Sequence, residues 1–254
     1  MAVNQLATAA DQLASEAQGW RIVDGILHLR QWGTRTTLPM PSGRTGTIGG
    51  AKGSWIRIRF APGRVAVPGR IAALDRIDGA WVLKRLCDAI EVRVDGVGHR
   101  VVSLSPGSEI EVGGMTLVAE SERLVALRAV LAQLLGWTLD RAPELDLAMR
   151  AVRLAALHRD PLLLCGREGD TTTAAHLLHQ HTVGTDRPFI VYTGAGSPFA
   201  ALRAAATGTL CIRAGEPLRQ LASALQRPGA NTQVMIASGS PRGVLFRFPI
   251  VLPR

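Results

Sequence analysis

Three histidines in the order H-x-x-H-x-H, His176, His179 and His181, are the first side chains here whose type and spacing could hold a metal. A three-residue step puts His176 and His179 on one face of a helix, as paired zinc ligands require. No carboxylate or cysteine stands beside them to complete a ligand set, so they read as structural or solvated histidines and no metal is expected. Ser197 and Ser238 have no triad-like partner that the sequence identifies, and there is no G-x-S-x-G elbow to raise a nucleophile. Cys87, Cys165 and Cys211 lie far apart in apolar runs, the setting of small buried hydrophobes and not of disulfides or zinc ligands. No catalytic residue is assigned, and an enzyme is not expected.

Charge is the stronger signal. The formal net charge is +9, and apart from Lys52 and Lys84 every basic residue other than histidine is arginine. Residues 25–74 contain no Asp or Glu but carry Arg30, Arg35, Arg44, Lys52, Arg57, Arg59, Arg64 and Arg70, an acid-free tract that would attract phosphate or acidic partners. Arg57 and Arg59 also alternate with Ile56, Ile58 and Phe60, as the outward residues of any half-buried strand do.

These residues must be held by recognisable elements. At 254 residues the chain can bury two cores. It begins with a predicted helix over residues 4–18 and strand-like segments to residue 41, punctuated by Gly25, Gly33 and Pro39. Short β-type runs follow over residues 46–48, 55–60, 70–74, 81–83, 90–94, 100–102, 109–112 and 115–119, with turns at Asp78-Gly79, Asp95-Gly96, Pro106-Gly107 and Gly113-Gly114. This spacing predicts an all-β sandwich over residues 42–122. Leu124, Leu127, Leu131, Leu134 and Leu135 then share a helical face, and residues 123–157 read as a helical linker. From residue 158 to 254, strands at 162–165, 189–192, 209–212 and 233–237 alternate with helices at 173–181, 197–205 and 218–225, which predicts a parallel sheet covered by helices. No segment has the composition of a signal peptide, and no apolar run reaches the roughly 18 residues of a membrane span, so a cytoplasmic protein is expected.

The sandwich resembles a forkhead-associated (FHA) domain. The resemblance is carried by Thr47-Ile48-Gly49, Ile56-Arg57-Ile58, Trp81-Val82-Leu83, Val94-Asp95-Gly96, Leu104-Ser105-Pro106-Gly107-Ser108-Glu109-Ile110 and Val112-Gly113. Members of that family read phosphothreonine with an arginine after the I-G pair, a serine ahead of a structural histidine, and an asparagine in an N-G turn. Those positions align with Gly50, Pro68, Ile71 for the histidine, and Ile90. A phosphate dianion needs a fixed cation and hydroxyl or amide donors, which these four side chains do not offer, so the family's usual reading is not expected. Arg44, Lys52 or Arg70 could charge a displaced site.

The C-terminal half resembles the ATPase domain of sigma-54-dependent transcription activators, AAA+ proteins of the P-loop NTPase class. The matching segments are residues 158–166, Ala174-Ala175-His176-Leu177-Leu178-His179, Arg187-Pro188-Phe189-Ile190-Val191, Gly208-Thr209-Leu210-Cys211-Ile212, Pro217-Leu218 through Leu221, Leu225-Gln226 and Val234-Met235-Ile236-Ala237-Ser238. The phosphate loop G-x-x-x-x-G-K-[ST] falls on residues 166–173, where Thr171 stands for the second glycine and Thr172 for the lysine. Gly166, Gly169, Thr172 and Thr173 are what is left of a cofactor cradle, and no cofactor is expected. Arg213-Ala214 takes the place of the paired acids needed for phosphoryl transfer, and Gly239 that of the sensor asparagine. The G-A-F-T-G-A signature for sigma-54 is absent, and the resemblance ends before the family's lid and DNA-binding segment.

The resemblances together imply a multidomain bacterial chain that docks a protein partner and does not hydrolyse ATP: a regulatory or scaffold protein, able to assemble with related subunits. The expected contact residues are Lys52, Arg57, Arg59, Arg64 and Arg70 on the sandwich. The alternative is a nucleic-acid- or phosphoprotein-binding module built on the same tract, although stacking aromatics are few. A nucleotide site of unorthodox construction is the third reading.

Overall fold

The computed structural model describes residues 25–58, 68–138, 140–166, 170–213, 232–238 and 249–251. Outside them lie the predicted helices over 4–18 and 218–225, together with Arg59, Arg64, Gly169, Gly239 and the end of the strand expected to reach residue 60. The chain divides into two compact units, Val23–Leu124 and one that takes in Val125–Arg254.

The first unit is a β-sandwich. One sheet has six strands in the order β2-β1-β11-β10-β7-β8: β1 (His28–Gln31), β2 (Thr37–Pro39), β7 (Val92–Val94), β8 (Val97–Gly98), β10 (Glu109–Val112) and β11 (Met115–Glu120). The other has five in the order β4-β3-β5-β6-β9: β3 (Thr45–Gly49), β4 (Ile56–Arg57), β5 (Ala72–Ile77), β6 (Ala80–Arg85) and β9 (Val101–Ser103). Alternation along the strands sends Leu29, Ile110 and Leu117 from the first sheet and Ile48, Leu74 and Leu83 from the second into one core, each 2 % exposed or less. The Asp78-Gly79 and Asp95-Gly96 pairs both have two consecutive residues at positive φ, 49° and 83° in the first and 52° and 79° in the second. That is the backbone a two-residue hairpin turn needs, and the two pairs join β5 to β6 and β7 to β8.

The N-terminal strands do not stop at leading into a sandwich that starts at residue 42. β1 is inserted between β2 and β11, with His28 opposite Glu120 and Gln31 opposite Leu117. Arg30, on the outward face of β1, is 4 % exposed and donates from Nε to Glu120 Oε1 at 2.8 Å; His28 Nε2 lies 3.0 Å from Glu120 Oε2. Arg30 therefore leaves the basic tract as a surface charge, because its carboxylate comes from 90 residues further along the chain.

After the sandwich, α1 (Glu122–Leu135) buries Leu127, Leu131 and Leu135, and α2 (Ala142–His158) buries Leu145, Met149 and Val152. Arg128 on α1 pairs with Asp146 on α2, so residues 123–157 are a packed helical pair and more than a linker. α2 ends where Arg159 turns to φ 58°, and its break is followed by β12 (Leu162–Cys165). The remaining elements are α3 (Asp170–Thr182), β13 (Phe189–Tyr192), α4 (Pro198–Ala204), β14 (Thr209–Arg213), β15 (Gln233–Ser238) and β16 (Pro249–Val251). The five strands form a parallel sheet in the order β13-β14-β15-β12-β16. Leu162 to Cys165 and Thr209 to Ile212 are buried throughout, as strands covered on both faces must be, whereas β13 at the edge buries only Tyr192. β16 was not legible in the sequence: a proline opens it and only three residues form it.

Burial has a measurable consequence at Cys211, whose thiol is fully enclosed and pushed up to about 11. The folded form thus holds the proton that the unfolded thiol releases above its ordinary 9.0. The resulting stability is fully present below pH 9, and about 2–3 kcal/mol of it is lost as pH rises from 9 to 11. Cys165 shifts upward for the same reason, while Cys87 is half-buried. With a thiol-reactive chromophore at pH 8, one equivalent is expected to react promptly, at Cys87, and two only after denaturant is added. Mass mapping of the labelled sites checks the order.

Candidate functional site

The predicted contact residues Lys52, Arg57 and Arg70 meet at one end of the five-stranded sheet, the end where β3 terminates. Gly49 makes the meeting close: a Cβ placed there would stand 2.3 Å from the Gly69 carbonyl oxygen and 2.9 Å from Arg70 Cα. Only hydrogen fits, and the segment at residues 68–70 therefore lies directly against the end of β3. Backbone hydrogen bonds then knit the loops. Gly50 N–H donates to Pro68 O at 2.9 Å, Ala51 N–H to Gly69 O at 3.2 Å, and Ser54 Oγ to the same Gly69 O at 3.4 Å. Ser54 N–H closes the turn onto Ala51 O at 3.1 Å, presenting Lys52 at its tip, and Arg57 sits on β4 opposite Gly49. A third loop joins through Leu86 N–H, which donates to Ile71 O at 2.8 Å.

Lys52, Arg57 and Arg70 are all exposed, and none has a carboxylate partner among the described residues. The two acids of the third loop are already committed: Asp88 bonds Arg85 at 2.8 Å and Glu91 bonds Arg93 at 2.8 Å. The Arg93 guanidinium holds the Glu91 carboxyl below its usual range. What remains uncompensated on these loops is positive. Sequence reasoning chose Lys52 and Arg70 but missed Ser54, whose hydroxyl ties the two loops together; its nearness to Gly69 crosses 15 residues and has no local signature.

The four positions that would read phosphothreonine in the resembling family are also located. Gly50 and Pro68 are adjacent through their backbone bond, Ile71 is fully buried with its N–H on Ile48 O at 2.8 Å, and Ile90 packs half-buried against the sandwich core. One of them is thus a core residue and another packs against the core.

In the second unit, the segment set against a phosphate loop in the sequence comparison follows β12. The Gly166 N–H is taken by Ser238 O at 3.0 Å, Thr171 is buried, Thr172 is half-buried and Thr173 is exposed on the first turn of α3. β12 and β15 are neighbours whose onward connections run to opposite edges of the sheet, so Gly166 and Ser238 flank its topological switch point. His179 is 2 % exposed with both ring nitrogens engaged, Nδ1 2.9 Å from Thr209 Oγ1 and Nε2 3.1 Å from Arg187 O. It and His176 pack against Phe189 with their rings tilted by 46° and 41° and centroids at 5.3 Å and 4.9 Å, so these two histidines fix α3 to the edge of the sheet.

No protein-family model and no curated protein matches the chain. Solved structures do. The chain is similar to the FhaA FHA domain complexed with the intracellular domain of Rv3910, at 18% identity over 35% of this chain and 94% of that one, with a TM-score of 0.30. It is similar to Mycobacterium tuberculosis EmbR in complex with a low-affinity phosphopeptide, at 14% identity over 47% of this chain and 31% of that one, TM-score 0.35. It is also similar to the FHA-1 domain of Mycobacterium tuberculosis Rv1747, at 16% identity over 39% of this chain and 98% of that one, TM-score 0.31.

Proposed function

We propose that this chain is a non-catalytic interaction protein whose sandwich, an FHA-like domain, docks an acidic or phosphorylated segment of a protein partner. The observation that carries the reading is the trio Lys52, Arg57 and Arg70, exposed and uncompensated on loops that the Gly49–Gly69 contact holds together. Three cations on rigid backbone attract an anionic segment and fix its register, whereas the same charges on independent loops would lose that gain to ordering. Binding here would use the displaced charges in place of the family's reading residues, since Pro68 carries no hydroxyl or N–H and Ile71 and Ile90 are packed inward. The C-terminal sheet, a P-loop NTPase-like domain of the sigma-54 activator type on this reading, would serve as a second docking frame that no longer hydrolyses ATP. Its support is chemical: threonine stands where the lysine would contact phosphate, and Arg213 where an acid would hold magnesium.

Fluorescence anisotropy on the full chain tests this with three labelled peptide pools: phosphothreonine-containing, glutamate-rich and charge-neutral. Saturable binding of an acidic pool, weakened about tenfold or more in K52Q/R57Q/R70Q with an unchanged Tm, is expected. Equal binding of the neutral pool would overturn the reading. Displacement of every peptide by random-sequence DNA, with a steep salt dependence, would transfer the surface to nucleic acid.

A further inference from the structure

The opposite end of the same sheet carries a second concentration of positive charge. Arg44 immediately precedes β3 and Arg76 lies on β5; with Thr45 opposite Asp75, they are the next cross-strand pair, and Arg76 N–H donates to Arg44 O at 2.8 Å. Both side chains are exposed, and neither has a carboxylate partner among the described residues. Like charges directly opposite each other in a ladder are destabilising, so this pair is an unrelieved cost in the free protein. The acid on the neighbouring residue, Asp75, points to the other face of the strand and is engaged by Lys84 at 2.9 Å.

The pair is also positioned. Arg76 is opposite Trp81, and its guanidinium lies 5.9 Å from the centroid of the Trp81 ring, which is 7 % exposed and therefore fixed. Between the two arginines and the Asp78-Gly79 turn lies an open recess of about 520 Å³, lined by Arg44, Arg76, Ile77, Asp78 and Gly79. From Arg44 to Gly50 the strand advances about 20 Å, so this recess is separate from the loop end described above.

We propose that the Arg44–Arg76 recess is a second anion site, specific for a phosphate group. The choice of phosphate follows from charge and shape. A carboxylate carries one charge and offers one planar edge, which a single guanidinium fork fills. A phosphate monoester or inorganic phosphate approaches two negative charges near neutral pH and offers oxygens in several directions, so it can accept from both forks and cancel both charges. Asp78 on the rim disfavours any anion that lacks two cationic contacts to offset it. The site owes nothing to Lys52, Arg57 or Arg70 and stands whether or not the loop end binds a peptide.

The test is a titration of the full-length isotope-labelled protein with inorganic phosphate and, separately, with O-phosphoserine, followed by amide NMR and by Tm. Saturable shifts of the Arg44 and Arg76-to-Gly79 amides are expected, with a ligand-dependent rise in Tm. R44Q alone and R76Q alone should each weaken binding about tenfold. R44Q should gain stability without ligand or lose none, because it removes the facing like charge and leaves the Arg76–Trp81 contact intact; R76Q also removes that contact, so R44Q is the variant that reads the repulsion. D78N should tighten binding, and K52Q/R57Q/R70Q should leave these shifts as they are. Tighter binding of O-phosphoserine than of inorganic phosphate would assign the site to a phosphate ester, and the reverse to the free ion. Shifts confined to residues 50–55 and 68–70, or no saturable shift, or equal binding in R44Q, would overturn the site.

Discussion

Gly49→Ala is expected to destabilise the sandwich by about 3 kcal/mol or more, the upper range for forcing a group into packed structure. The added methyl would sit 2.3 Å from a carbonyl oxygen and 2.9 Å from two further backbone atoms. Backbone cannot swing aside as the end of a side chain does, so β3 and the segment at residues 68–70 must part. The bonds from Gly50 to Pro68 and from Ala51 to Gly69 go with the separation, and the loop end loses its shape. A drop in the sandwich's Tm of roughly 15 °C is expected in a thermal scan, with acidic-peptide binding lost even at temperatures where the variant is folded. Gly43→Ala and Gly53→Ala are the controls, because a Cβ at either position meets nothing within 4 Å. Both should stay within about 0.5 kcal/mol of the parent. An unaltered Gly49→Ala Tm would mean that the two segments are not held in contact.

Sequence patterning carried far where the determinants were local. The two Asp-Gly hairpins, the leucine face of α1 and the buried strands β12, β14 and β15 all follow from residue type and period over a few neighbours. The loop end was legible only as charge: Lys52 and Arg70 could be named, but their apposition depends on Gly49 meeting Gly69 across 20 residues, which no local pattern encodes. The second basic recess was hidden for the same reason, since Arg44 and Arg76 become neighbours through the β3–β5 register. The glycine at the end of β12 was legible as a strand end, yet what occupies the Gly166 N–H, the Ser238 carbonyl, comes from a strand more than 70 residues away.

Arg30 is the sharpest case, because the acid-free tract counted it as surface charge while the fold buries it against Glu120. Such a pair is stabilising only relative to a broken one. Glu120→Gln would leave the Arg30 guanidinium, 4 % exposed, without this carboxylate and would also remove the acceptor 3.0 Å from His28 Nε2. The two bonds from Arg30 Nη1 to Gln31 O and Thr34 O, each 3.1 Å, hold the guanidinium in place, so it cannot turn to solvent without further loss. A cost of about 3–5 kcal/mol is expected, the range for removing one partner of a buried ion pair. Replacing both partners with apolar residues of similar length, R30M with E120L, removes the charge along with its partner and should cost less than Glu120→Gln alone. Denaturant titration of the parent, E120L, R30M and the R30M/E120L double variant gives the coupling directly. A double variant as unstable as the sum of its singles would mean that Arg30 and Glu120 are stabilised independently and that the pair does not tie β1 to β11.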